Sequence, residues 1–151
     1  METRIISFSV PGKPTALSRP RFRRTGKFVQ VYNPQSELEE AFKNSVKSQL
    51  KTEDSEFLHT LLTSKKTFYI SVGCVFYIPI QKNSSKKNIA LKLNNEIRPD
   101  TRPDIDNYIK FVLDSLHNVF YLDDSCVTEI SYARKQYSDQ PRTDVEVRIE
   151  Y

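Results

Sequence analysis

Carboxylates recur between Arg102 and Asp124 at a spacing suited to metal-dependent chemistry. Within RPDIDNYIKFVLDSLHNVFYLDD, Asp104 and Asp106 stand two residues apart, and Asp123 and Asp124 end the segment. Three converging carboxylates repel one another unless a cation neutralises them, and their hard oxygen atoms suit Mg²⁺ or Mn²⁺. An ion held there lowers the pKa of an attacking water and stabilises charge on the leaving oxygen of a phosphodiester. The pattern is therefore compatible with a Mg²⁺-dependent phosphodiester hydrolase in which Mn²⁺ can substitute.

The local conformation decides whether the first two carboxylates converge. An extended segment 103–106 puts Asp104 and Asp106 on one side and Ile105 in the core, whereas a helix beginning at Asp104 would turn them to roughly opposite sides. We predict the extended form, with Asp106 capping the helix that follows. Lys110 lies one helical turn after Asp106 and can reach the same site. Its charge would then stabilise the phosphate as it becomes more negative.

A purely structural interpretation of these residues also exists. Asp106 can cap a helix and pair with Lys110 on the surface, while Asp123 and Asp124 occupy a turn. A DxD pattern alone does not separate the two interpretations. DxDN with a lysine four residues after the second Asp, and an Asp-Asp pair some twenty residues on, is more specific to a site.

The elements that must position this segment follow from hydrophobic periodicity. We predict strands at Arg4–Val10, Phe28–Tyr32, Thr67–Ile78, Val127–Tyr137 and Thr143–Glu150, with the third central and the last two forming a hairpin across Ser138–Arg142. Leu38, Phe42, Val46 and Leu50 indicate a helix behind Asn33-Pro34, and a second helix is predicted from Asn107 to His117. Loops are predicted at Lys13–Lys27 and Gln81–Arg98. The fold class is α/β (α+β-like), one domain over residues 1–151 with a mixed, largely antiparallel sheet and two main helices.

Composition excludes several classes of protein. The 151 residues suffice for one core, and their short apolar stretches exclude a transmembrane helix. The N-terminus lacks the features of a signal peptide, so we expect a cytoplasmic protein without membrane association, in which Cys74 and Cys126 are small hydrophobic residues rather than a disulfide. Two cysteines and two histidines exclude a usual structural zinc site, and only three glycines argue against a nucleotide cofactor.

Charge is distributed unevenly along the chain. The net charge is +4, yet residues 1–34 carry +6 and residues 81–98 carry +4, which leaves −6 for the remainder. Two basic segments around an acidic centre are typical of a polyanion held over a metal site. Each basic loop taken alone is equally well explained as solvated surface.

In five blocks the sequence resembles the RusA family of Holliday junction resolvases. These blocks, in order from about Phe8 to Val147, are VPGKP at Val10–Pro14, SRPR at Ser18–Arg21, RPDIDNYIK at Arg102–Lys110, LDSL at Leu113–Leu116 and YLDDS at Tyr121–Ser125. The resemblance implies a RusA-like fold and a Mg²⁺-dependent homodimeric endonuclease of DNA recombination and repair. Such an enzyme cuts two opposing strands of a four-way DNA junction symmetrically.

Carried over by position, the resemblance implies Asp104, Asp106 and Asp124 as metal-binding and catalytic carboxylates and Lys110 as the catalytic lysine. Asp123 matches a position that ranks lower as a metal ligand. Asp114 matches a family position too, but we interpret it as structural because of its distance along the helix from the first carboxylates.

DNA phosphates are the partners expected for the basic segments. We predict phosphate contacts from Arg19, Arg21, Arg23, Arg24, Lys82, Lys86 and Lys87. Phe22 and Phe28 either pack at the junction centre or belong to the local structure. Arg134 and Lys135 either reach the DNA or the metal site or lie on an exposed strand edge. Two other functions stay open: a junction-binding protein that does not cut, and a metal-dependent nuclease acting on flaps or other branched substrates.

Overall fold

A computed structural model describes residues 1–18, 21–32 and 34–151, which form a four-stranded sheet, a separate two-stranded sheet and four helices. The strands are β1 (Thr3–Pro11), β2 (Arg21–Thr25), β3 (Phe28–Tyr32), β4 (Tyr69–Pro79), β5 (Val127–Ser138) and β6 (Arg142–Glu150). The helices are α1 (Ser36–Gln49), α2 (Thr52–Thr63), α3 (Lys86–Leu93) and α4 (Ile105–Leu116), and a 3₁₀ turn covers Asp124–Cys126. The predicted mixed, mostly antiparallel sheet is confirmed.

The main sheet has the strand order β1-β6-β4-β5. β6 pairs antiparallel with β1 and β4, while β5 pairs parallel with β4. The central position predicted for β4 is confirmed. The predicted β5–β6 hairpin is wrong, because β4 lies between these two strands. Residues 139–141 are enough for the crossing, since the chain reaches about 3.5 Å per residue and two strand spacings are about 10 Å.

One face of the sheet carries the core. Alternate residues of β4 (Ile70, Val72, Cys74 and Phe76) pack in one cluster with Val145, Val147 and Ile149 of β6. The apolar stripes of the helices close this cluster, including Phe42 and Val46 from α1, Leu58 and Leu61 from α2, and Phe111 and Val112 from α4. The opposite face carries polar side chains such as Ser7 and Glu146. Helix α4 is therefore fixed by its buried face, and Asp106 and Lys110 on its other face are exposed.

Three elements of the structure are absent from the prediction. Helix α2 was not predicted, and its buried Leu58 and Leu61 anchor it three residues after α1 ends. Helix α3 lies inside the predicted loop 81–98, where the Ser85 hydroxyl accepts a hydrogen bond from the Asn88 amide at 3.2 Å and caps the first turn. Strand β2 lies inside the predicted loop 13–27. The two predicted main helices are thus two of four.

Both cysteines are free thiols, with Cys74 buried and Cys126 half-buried. Burial raises the pKa of Cys74 to about 12. No helix in the described ranges has both the length and the apolar character needed to span a bilayer.

Candidate active site

Helix α4 brings the first carboxylates to its N-terminal end. The helix begins at Ile105, and Asp104 precedes it with extended backbone angles, φ −71° and ψ 150°. The predicted extended segment through Asp106, with Asp106 as the cap, is therefore wrong, because Asp106 already lies in the first turn. An acid is stabilised there by the positive end of the helix dipole. The carboxylates of Asp104 and Asp106 are both exposed, and that of Asp104 accepts no capping hydrogen bond.

The segment that leads into α4 is held by a lysine from the sheet. Lys135 of β5 donates hydrogen bonds from Nζ to the carbonyl oxygens of Thr101 at 2.9 Å and Pro103 at 3.1 Å. These two carbonyls flank the Arg102–Pro103 peptide, which is cis. Lys135 thus positions the backbone next to Asp104. The sequence left its role open between the metal site, DNA and an exposed edge.

A tight turn after α4 returns the chain to the side of this helix. Asn118 adopts φ 68°, a conformation that asparagine tolerates better than most residues, and its amide donates to the Tyr121 carbonyl at 2.7 Å. The buried Tyr121 donates its hydroxyl proton to the Leu113 carbonyl, and burial raises its pKa. The turn is thereby fixed to α4, and Asp124 follows it.

Lys110 connects the helix to this turn. Its Nζ lies 2.8 Å from Oδ1 of Asp114 and 3.7 Å from Oδ2 of Asp124. The hydrogen bond that Lys110 donates to Asp114, opposed in part by desolvation, raises the pKa of Lys110. No ion pair between Lys110 and Asp106 occurs in the described part of the chain. Lys110 and Asp124 are thus brought together, and Asp114 lies closer to them than its interpretation as a structural residue implies.

Asp123 has a structural task in the same turn. Its Oδ1 accepts a hydrogen bond from the Ser125 amide at 2.9 Å and caps the 3₁₀ turn. This bond lowers the pKa of Asp123. One of its oxygens is therefore already engaged, whereas Asp124 faces Lys110.

A surface pocket of about 500 Å³ opens beside these residues, between α1 and the turn after α4. Four of its lining residues are carboxylates, and the others include one lysine and one histidine. The pocket is lined by Glu39, Lys43, Asp114, His117, Leu122, Asp123 and Asp124. Glu39 was not among the predicted site residues, because its position indicates only an acid in the first turn of α1.

Carboxylate oxygens are the kind of donor that a hard divalent cation takes. No group of three or more His, Cys, Asp or Glu side chains within residues 1–18, 21–32 and 34–151 is arranged to hold a metal ion. Mg²⁺ does not need such a group, because it is bound through one or two carboxylates and completes its shell with water and phosphate oxygens. The exposed carboxylates of Asp104, Asp106 and Asp124 are donors of this kind.

The described basic residues that were predicted to bind phosphate lie in two separate regions, on β2 and around the start of α3. Arg23 and Arg24 are exposed on β2, and Lys82 is exposed just before α3. Arg19 lies outside the described residues, as does the side chain of Arg21. Lys86 and Lys87 are exposed in the first turn of α3, which contains no acid. The helix dipole disfavours cations at that end, so helix stability does not explain these two lysines.

Comparison with known proteins identifies the family of the chain. The family model for endodeoxyribonuclease RusA matches residues 11–148. A protein of Bacillus subtilis (strain 168), named uncharacterized protein YqaN, is 35% identical over 147 residues, which cover 95% of each chain. Apart from Val10, the blocks that resemble the RusA family all lie within this match, which covers nearly the whole chain. The chain belongs to the RusA endodeoxyribonuclease family.

Proposed function

We propose that this protein is a Mg²⁺-dependent, homodimeric endonuclease that resolves four-way DNA junctions by paired symmetric nicks in recombination and repair. The observation that carries the proposal is the contact between Lys110 and Asp124 at 3.7 Å, in a chain of the RusA family. It joins a residue of α4 to the turn beyond it, at the two blocks that carry the resemblance.

The carboxylates of Asp104, Asp106 and Asp124 are the groups that would hold Mg²⁺, or Mn²⁺ in its place. When bound, such an ion lowers the pKa of a water that attacks phosphorus and neutralises charge on the leaving oxygen. The Lys110 ammonium is kept protonated by Asp114 and Asp124. Its charge would be directed at the phosphate oxygens as they become more negative in the transition state. Asp114 would keep Lys110 in place for this role.

Phosphate binding is assigned to the two basic segments. Arg23 and Arg24 on β2, with Lys82, Lys86 and Lys87 around the start of α3, would neutralise phosphates without reading bases. Arg19 and Arg21 belong to the same proposal by sequence. A four-way junction has two-fold symmetry, so two opposing cuts require two active sites, which a homodimer with an isologous interface supplies.

The test is cleavage of a synthetic four-way junction in Mg²⁺ by the wild-type protein, Asp106→Asn and Asp124→Asn, with EDTA as a control. We expect paired symmetric nicks that need both the metal and the two carboxylates. Each variant should still bind the junction, or bind it more tightly, because a negative charge facing phosphates has been removed. Cleavage by a folded variant at the wild-type rate would overturn the assignment of that residue.

Two further substrates separate this proposal from its alternatives. A flap and a linear duplex are incubated in parallel with the junction. Tight binding to the junction without cleavage in Mg²⁺ or Mn²⁺ would indicate a binding protein, and faster cleavage of the flap would indicate a flap nuclease.

A further inference from the structure

The two-stranded sheet of β2 and β3 stands apart from the core. Its apolar side chains are strongly exposed: Phe22 by 72%, Val29 by 62% and Val31 by 59%. No residue of these two strands belongs to the core cluster of the described residues. A lone two-stranded ribbon is only marginally stable in water, and an uncovered apolar surface on it indicates a binding role.

The register sorts the side chains of this hairpin onto two faces. Phe22 pairs with Val31 and Arg24 with Val29, and cross-strand partners share a face. One face therefore presents Phe22, Val29 and Val31 beside Arg24; we call it the apolar face. Phe28, which pairs with Thr25, lies on the opposite face.

Charge determines what can cover the apolar face. Residues 21–32 contain four basic residues and no acid, which gives the hairpin a charge of +4. A second copy of the same hairpin would be repelled, whereas a polyanion is attracted. Aromatic and aliphatic side chains interleaved with arginines are the combination that binds nucleic-acid bases at their faces and phosphates at their edges.

The root of the hairpin is fixed next to the candidate active site. The Gln35 side chain accepts a hydrogen bond from the Ser18 amide at 2.8 Å and donates one to the Ala16 carbonyl at 2.6 Å, so it joins the segments before and after the hairpin. Between these two bonds, the Leu17 amide donates to the Asn107 carbonyl at 2.9 Å. Asn107 follows Asp106 in the first turn of α4. The root of the hairpin therefore lies at the N-terminal end of α4, where Asp104 and Asp106 are.

We propose that the apolar face of the hairpin binds bases that are unstacked at the branch point of the DNA. Base faces are covered in a continuous duplex and become accessible where strands exchange, so the contact selects branched over linear DNA. The inference rests on the proposed function for its substrate. It adds to that function an element that recognises the branch, held beside the strand to be cut.

The test uses the binding of a four-way junction that carries 2-aminopurine at the branch point, whose fluorescence rises when the base unstacks. All proteins carry Asp106→Asn so that the junction is bound without being cut. In this background, Phe22→Ser with Val31→Ser alters the apolar face, and Phe28→Ser, an 80% exposed residue on the other face, is the matched control. Affinity for a linear duplex is measured in parallel.

We expect the Phe22/Val31 variant to lose most of the fluorescence rise and to bind the junction about tenfold more weakly, while its duplex affinity is unchanged. The Phe28 variant should behave like its parent within about twofold. Equal behaviour of the two variants would overturn the inference. So would a shift of the Phe22/Val31 variant from dimer to monomer in sedimentation, because a second copy would then cover this face. If the parent binds no junction at all, the proposed function itself fails, and the inference fails with it.

Discussion

At the scale of single residues, the ion pair between Lys110 and Asp114 is expected to matter little for stability and much more for the proposed activity. An ion pair one helical turn apart on the surface of a helix contributes only about 0.3–0.5 kcal/mol to folding. The same pair holds the ammonium group beside Asp124. In the proposed function, small displacements of that group cost much more in rate.

Asp114→Asn is therefore expected to lower kcat for junction cleavage about tenfold or more, with little change in KM. The unfolding free energy should change by less than about 0.5 kcal/mol in urea denaturation. Asp139→Asn, in the exposed turn between β5 and β6, is the matched control. An equal loss of activity in the control, or none in Asp114→Asn, would contradict a positioning role.

The buried thiol of Cys74 predicts how stability responds to alkali. Its pKa is raised from 9.0 to about 12 by burial, so between these values the folded protein binds more protons than the unfolded chain. Stability is therefore undiminished below pH 9 and falls above it, by up to about 1.4 kcal/mol per pH unit from this group. Urea unfolding from pH 8 to 10.5 should show a shallower decline for Cys74→Ala than for Cys126→Ala. Equal slopes would exclude the Cys74 thiol as the source.

Sequence spacing identified Lys110 and its distance from Asp106 but not its partners. The i, i+4 rule allows a lysine to pair in either direction along a helix, and here the pairs run to Asp114 and Asp124. Asp124 returns to the side of α4 because Asn118 adopts a left-handed conformation and Tyr121 donates a hydrogen bond to Leu113. Hydrophobic periodicity does not predict either feature. The distance of Asp114 along the helix therefore did not show that it lies beside Asp124.

At the scale of elements, Lys135 couples the sheet to the start of α4. Lys135→Met keeps the length of the side chain and removes both hydrogen bonds to the carbonyls of Thr101 and Pro103. We expect kcat to fall about tenfold, the free energy of unfolding to fall by about 1 kcal/mol, and the amides of residues 101–106 to exchange faster. Lys66→Met, at an exposed position before β4, is the control. Unchanged exchange over 101–106 would show that this segment is held by other contacts.

The elements that could be predicted are those with a strong period. Strand β3 matches its predicted bounds, and the apolar stripe of α1 includes the buried Phe42 and Val46. Helix α3 has a capping signal, Ser85 three residues before Asn88, but its lysine-rich composition favoured a loop. The β5–β6 pairing was predicted from a short connection, whereas the apolar β4 gains more by lying between two neighbours.

At the scale of the whole molecule, the DNA binding proposed for the two basic segments predicts that affinity depends on salt. Each lysine that neutralises a phosphate adds about 0.9 to the slope of log affinity against log salt concentration. Replacing Lys82, Lys86 and Lys87 with glutamine should reduce that slope by about 2 to 3 in junction binding by the Asp106→Asn protein. Lys47, Lys51 and Lys65, which are exposed outside these two basic segments, form the matched triple control. A slope that is equal in both triple variants would remove these lysines from the DNA-binding surface.

The position of β6 determines when this protein can fold during its synthesis. β6 is the last strand in the chain, yet it lies between β1 and β4 and provides all the pairing that β1 has in the main sheet. A nascent chain that ends before residue 142 leaves β1 without a partner in that sheet. Pairing across almost the whole length of a chain also slows folding. We therefore expect a nascent chain to remain sensitive to protease while residues 142–150 are still inside the exit tunnel. Until these residues emerge, the edges of β1 and β4 stay exposed and accessible to chaperones.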